Sequence, residues 1–173
     1  MPVTTLTEFH HWLLAEENTG APFVLLNTPC DGPIGCAAAV ARLLNEFDEE
    51  SGGNWIALTP QIVHAIASDP AQRRLLGVAD SCGKCPPTSR CGLRKVMTAI
   101  ARRGHVVFND ALAIEATEDE PNGFRASIGI PLNAAESFHI ILNPTQFHSR
   151  CLAPLVADSF LEWMANRQHQ SAA

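Results

Sequence analysis

The sequence predicts a single domain of class α+β or mixed α/β, with helices and two early strands, then an antiparallel β-meander and a C-terminal helix. Three observations support this class. Apolar residues recur at helical spacing in several segments, short apolar runs bounded by turn residues lie between them, and such runs follow one another closely after residue 105. The 173 residues are enough to bury one core. The domain is expected to span 1–173, with a cysteine-rich loop at 80–92.

The first elements have clear boundaries in the sequence. A helix should begin after Thr5, because Glu8 lies three residues further on and completes a capping box. This helix should stop before Gly20, and the apolar run at 23–26 then predicts a short buried strand. After the turn at 31–35, apolar residues at helical spacing from Cys36 to Phe47 predict a second helix, which the Ser-Gly-Gly sequence at 51–53 should end.

The middle of the chain is predicted to contain one strand and three helices. The apolar run at 55–58 is typical of a second strand. The Thr-Pro pair at 59–60 and the Asp-Pro pair at 69–70 each place a capping residue before a proline, so each should open a short helix. A longer amphipathic helix is expected after Cys91 and should end at Gly104.

The last third predicts strands in succession. Short apolar runs occupy residues 106–108, 112–114, 124–130 and 138–142. Residues of the third run alternate between apolar and other types, which favours a strand with one buried face. The Pro-Asn-Gly sequence at 121–123 is typical of a hairpin turn. Successive strands with a hairpin turn predict the antiparallel meander, and helical apolar spacing from Leu155 onwards predicts the last helix.

Composition and charge exclude several classes of protein. The apolar content of 46% and charged content of 17% are typical of a globular domain. No apolar run approaches eighteen residues, so we expect no membrane association. The N-terminus lacks the basic region and apolar core of a signal peptide, so we expect a reducing cytoplasm, where clustered cysteines more often bind metal than form disulfides. The net charge of −6 argues against a nucleic-acid partner.

The segment SCGKCPPTSRCG, residues 81–92, holds three of the six cysteines. Its Cys-x2-Cys-x5-Cys spacing lets Cys82 and Cys85 approach one ion from a tight turn, and the two prolines stiffen the path to Cys91. The stretch 81–109 contains six of the twelve Lys and Arg residues and no acidic residue. Cations favour the thiolate form, so the pattern predicts either an iron–sulfur cluster or zinc.

A fourth ligand has to come from elsewhere in the chain. The candidates are Cys30, Cys36, Cys151, His105 and Asp80. We favour Cys30, because it lies in a similar Pro- and Gly-rich loop directly after a strand. The predicted ligand set is therefore Cys82, Cys85, Cys91 and Cys30. The segregated charge and the lack of a motif for a small substrate favour an accessory, electron-transfer or sensor protein that acts through a protein partner.

Other interpretations of the cysteines stay open. Cys82 and Cys85 also have the spacing of a redox dithiol. Cys36 is predicted at the start of a helix and His105 at the start of a later strand, with Asp110 (or Asn109 or Asn143) available to orient the imidazole. This order resembles that of papain-like cysteine hydrolases, and the resemblance implies a Cys36 nucleophile and a His105 base. In a third interpretation the protein is a plain interaction domain whose thiols are incidental.

Overall fold

The computed structural model of the protein describes residues 2–3, 5–15, 22–27, 36–47, 54–78, 85–109, 123–129 and 138–172. Its strands are β1 (Pro2–Val3), β2 (Phe23–Asn27), β3 (Ile56–Leu58), β4 (Val106–Asn109), β5 (Gly123–Ile128) and β6 (Ile140–Leu142). Its helices are α1 (Leu6–Ala15), α2 (Cys36–Phe47), α3 (Pro60–Ser68), α4 (Pro70–Leu75), α5 (Arg90–Ala101) and α6 (Ser149–Ser171).

The strands form one sheet in the order β1-β3-β4-β2-β5-β6. Every pairing between these strands is parallel, including β5 with β6, which were predicted to belong to the meander. The predicted antiparallel meander is therefore wrong, and the fold is α/β. The predicted strand at 112–114 and most of the predicted hairpin turn lie outside the described residues.

The alternating pattern of the fifth strand explains part of this error. Phe124, Ala126 and Ile128 share one buried face, as the alternation predicts. Arg125 and Ser127, which suggested a solvent-facing side, are only 6% and 0% exposed. All six residues of β5 are buried, as expected for a strand of a parallel sheet with cover on both faces.

Helices cover both faces of the sheet. Apolar side chains of α1, α3 and α5 pack with one face of β2, β3 and β4, represented by Leu25 and Phe108. Apolar side chains of α2 and α6 pack with the opposite face, represented by Val24, Val107 and Phe124. The alternation along β2 sends neighbouring residues into these two separate cores. The result is a three-layer arrangement of helices, sheet and helices.

The helix starts follow their local signals. The backbone N–H of Thr5 donates to Glu8 Oε2 at 2.9 Å and that of Glu8 donates to Thr5 Oγ1 at 3.2 Å, so the predicted capping box is confirmed. Thr59 and Asp69 cap α3 and α4 as predicted. Helix α5 is capped by Ser89, so it begins before Cys91 and includes that residue. Among the described helices, none combines the length and the apolar character that a membrane span requires.

Candidate functional site

The carboxyl ends of all the strands lie at one edge of the sheet, because the strands are parallel. This carboxyl edge is where open α/β sheets bind their ligands. Strand β4 starts at the opposite, amino edge, and four residues lie between the end of α5 and the start of β4. The twelve residues of α5 rise about 18 Å, so α5 runs back across the sheet and its first turn lies at the carboxyl edge.

The segment before α5 is folded tightly onto the first turn of that helix. The backbone N–H of Ser89 donates to Pro86 O at 2.9 Å, and Ser89 Oγ accepts from the N–H of Gly92 at 3.2 Å. Gly92 lies so close to the loop that a Cβ on it would be 2.1 Å from Pro87 O. Only glycine fits this contact without moving the backbone, so the glycine fixes the position of the loop relative to α5.

The structure describes two of the four predicted sulfur ligands. Cys85 is half-buried at the start of this loop, and Cys91 is exposed in the first turn of α5. Cys82 and Cys30 lie outside the described residues. Within the described ranges, no three His, Cys, Asp or Glu side chains are grouped so that they could hold a metal ion.

Cations surround the exposed thiol. Arg90, Arg94 and Lys95 are exposed on α5, one, three and four residues from Cys91. Residues three and four apart are neighbours on a helix surface, so these side chains flank the thiol. The amides of the first helical turn add positive electrostatic potential at the same place.

Sequence analysis missed a polar pair at the carboxyl ends of β2 and β5. Asn27 Nδ2 donates to Ser127 Oγ at 3.1 Å, and Ser127 Oγ donates to Gly129 O at 2.9 Å. Gly129 has φ of +115°, which is costly for any residue with a Cβ. The chain leaves β2 towards β3 and leaves β5 towards β6, in opposite directions, so the pair lies at a topological switch point. Asn27, a polar residue directly after the apolar run 23–26, was the available signal in β2, whereas Ser127 lies inside the run 124–130 and gave no such signal.

The structure does not bring the predicted thiol and imidazole of the hydrolase alternative together. Cys36 begins α2, which follows the carboxyl end of β2. His105 precedes β4 at the amino edge, where its carbonyl accepts from the N–H of Ile56 and its ring centroid is 4.8 Å from that of Trp55. Asn45, near the end of α2, bonds both the N–H and the carbonyl of Trp55, at 2.6 and 2.9 Å.

The length of α2 therefore separates the two groups. Twelve helical residues rise about 18 Å, whereas a nucleophile and its base need hydrogen-bond reach. Asp110, the predicted orienting residue, lies outside the described residues.

A second cluster lies under α6, directly before the start of β6. His139 Nδ1 accepts from the N–H of Arg125 at 2.9 Å. The His139 ring stacks on Phe124 at 5.1 Å, with a 19° interplanar angle, and meets Trp163 edge-on at 5.4 Å. Burial first, and then the nearby charges of Arg125 and Arg167, lower the pKa of His139 from its ordinary value of 6.5, and its backbone hydrogen bond opposes that shift.

The remaining candidate for a ligand, Cys151, lies on the other helical layer. It is exposed in the first turn of α6, which His148 caps by accepting from the N–H of Arg150 at 3.4 Å. Cys151 and Cys91 thus occupy similar positions, each in the first turn of a helix, on opposite faces of the sheet.

Comparisons with known proteins return no relative. No family model, no curated protein and no solved structure matches the chain.

Proposed function

We propose that the protein binds a metal ion or an iron–sulfur cluster at the carboxyl edge of its sheet, through the thiolates of Cys82, Cys85, Cys91 and Cys30. The observation that carries this proposal is the direction of α5. Because α5 starts at the carboxyl edge, residues 85–91 lie on the same edge as the end of β2, which precedes Cys30 in the sequence.

Chain length is compatible with this fourth ligand. Cys30 follows Asn27 by three residues, and three residues of chain span at most about 10 Å. Packed layers of secondary structure are separated by about the same distance. Helix α5 also packs on the face of the sheet to which Leu25 of β2 points, since Leu93 of α5 and Leu25 belong to one core.

The physical chemistry of the loop supports a thiolate-bound centre. Gly92 and the Ser89 cap hold residues 86–89 against the first turn of α5, which lowers the entropy lost when a ligand binds. The flanking cations compensate the negative charge that several thiolates retain around a metal. An iron–sulfur cluster would give the protein an electron-transfer or sensor role, and zinc would give it a structural site.

Metal analysis of variants tests the proposal. The protein is purified anaerobically, its bound iron and zinc are measured, and its absorbance is recorded in the thiolate-to-iron charge-transfer region. We expect stoichiometric iron or zinc in the unaltered chain, and loss of most of that metal in Cys85→Ser and Cys91→Ser. Cys151→Ser is the matched control, because it removes an exposed thiol from the first turn of another helix, and it should retain the metal.

Two results would contradict the proposal. One is an unaltered protein that contains neither metal after anaerobic purification and reconstitution. The other is a Cys91→Ser variant that holds as much metal as the Cys151→Ser control.

A further inference from the structure

Charge is distributed very unevenly along the chain. Residues 60–109, which contain α3, α4, α5 and β4, hold eight Lys and Arg residues and two Asp residues, a formal charge of +6. The whole chain has a charge of −6, so the other residues together carry −12. The positive segment supplies part of the helical layer on one side of the sheet.

The positive charge has a defined outer face on α5. The exposed cations of this helix and its C-cap are Arg90, Arg94, Lys95 and Arg102. At 100° per residue they fall within an arc of about 140°, with Cys91 and Thr98 inside the arc. They extend over about 18 Å of helix. The opposite side of α5 supplies Leu93, Val96 and Ile100 to the core, so this face points outward.

We propose that this outer face of α5 docks an acidic protein surface. Arg90, Arg94 and Lys95 lie within about 8 Å of one another along the helix axis, which is about the Debye length at physiological salt, so an approaching acidic group interacts with several of them at once. Arg102 lies about 10 Å further along the axis. The sequence of α5 and its caps contains no acidic residue, so Arg94, Lys95 and Arg102 have no oppositely charged neighbour on this helix. An electrostatic face of this kind increases the rate of encounter and orients a short-lived complex.

The charge of the rest of the chain favours a protein over a nucleic acid. A nucleic acid is a long polyanion, and the −12 outside residues 60–109 repels those parts of it that extend past α5. An acidic protein can present its carboxylates to α5 alone. The inference goes beyond the proposed metal centre, because docking needs the cations of α5 and not the metal.

Binding of a labelled oligoglutamate tests this inference. The fluorescence anisotropy of the labelled peptide is measured at low salt with the full chain, both as isolated and after a chelator has removed bound metal. We expect binding in both forms and at least about ten-fold weaker binding by Arg94→Glu/Lys95→Glu. The matched control is Arg42→Glu/Arg150→Glu, which changes the net charge equally at two exposed arginines of the other helical layer and should bind within about two-fold of the unaltered chain.

The outcomes separate the docking face from its alternatives. Equal weakening by both double variants would show that net charge alone is sensed, and would overturn the inference. A single-stranded oligonucleotide of equal charge that binds as tightly as oligoglutamate would reassign the face to nucleic acid. Absence of oligoglutamate binding at low salt would also overturn it. Circular dichroism of each variant shows that the fold is retained. A Cys91→Ser chain that loses metal but still binds oligoglutamate would separate failure of the metal centre from failure of docking.

Discussion

Gly92→Ala should displace the cysteine loop while the fold persists. A Cβ at this position would lie 2.1 Å from Pro87 O, 2.5 Å from Pro87 C and 2.9 Å from Pro87 Cα. All three are backbone atoms, so no side-chain rotation relieves the overlap. Ordinary non-bonded contacts of carbon are about 3.5 Å, so the loop has to move by more than about 1 Å.

The effect on stability combines two costs and one gain. Overpacking at this level costs about 1–3 kcal/mol, and loss of the Ser89 cap on Gly92 costs about 1 kcal/mol. Alanine in a helix gains about 1 kcal/mol over glycine, which offsets the loss of the cap. We expect a net loss of about 1–3 kcal/mol in the free energy of unfolding, together with loss of most of the bound metal, because Cys85 lies on the displaced loop.

Urea denaturation followed by circular dichroism measures the first quantity, and metal analysis measures the second. Gly77→Ala is the control, since Gly77 has φ of +70° and nothing within 4 Å of the added Cβ. It should lose about 1–2 kcal/mol from backbone strain and keep its metal. If Gly92→Ala retained both its stability and its metal, the tight packing of the loop against α5 would not govern the site.

Three further predictions concern the framework of the fold and the histidine under α6. Gly123→Ala should lower the free energy of unfolding by about 1–3 kcal/mol, because its Cβ would lie 2.8 Å from the buried ring of Phe23; denaturation measures this loss. Asn45→Ala should cost about 2–4 kcal/mol, since it removes both hydrogen bonds to the backbone of Trp55, and should shift the tryptophan fluorescence. His139 binds protons more weakly in the fold than in the unfolded chain, because its pKa is lowered from 6.5. Its contribution to the free energy of unfolding is therefore complete above pH 6.5 and is lost as the pH falls through the lowered pKa. His139→Asn, which keeps a hydrogen-bond acceptor but does not titrate, should flatten that part of the stability profile.

These three predictions have distinct contradictory results. A Gly123→Ala chain as stable as the unaltered protein would mean that β2 and β5 are not packed as closely as described. An Asn45→Ala chain with unchanged fluorescence would mean that the amide does not position Trp55. If the free energy of unfolding depended on pH between 7 and 5 in the same way in His139→Asn as in the unaltered chain, the acid sensitivity would belong to other groups.

Local signals in the sequence were sufficient for most element boundaries. The capping box of Thr5 and Glu8 and the proline starts of α3 and α4 involve partners within three residues, so they do not depend on the rest of the fold. Strand direction depends on partners far away in the chain. Two parallel strands need a connection of about a dozen residues, and the connections at 110–122 and 129–139 are close to that minimum. Short gaps with a turn sequence favoured hairpins.

The continuous apolar runs of β2 and β3 were the signal for a parallel sheet. Strands covered on both faces are apolar at successive positions, whereas strands with one wet face alternate. Residues 23–26 and 56–58 are all apolar and all buried. The alternation in β5 hid the same property there, because the buried Ser127 is held by Asn27, a partner that sequence spacing does not reveal.

Strand direction also decides which reactive residues can meet. In a parallel sheet with helical crossovers, positions that follow a strand or precede a helix lie at the carboxyl edge, and positions that follow a helix or precede a strand lie at the amino edge. Cys85, Cys91 and Cys36 precede or begin helices, while His105 precedes β4. An antiparallel arrangement would have removed this division and allowed a thiol and a later imidazole to share one end of the sheet. Once the sheet is parallel, the order of elements along the chain is enough to group the thiols of α2 and α5 at one edge and to separate them from His105 by the length of a helix.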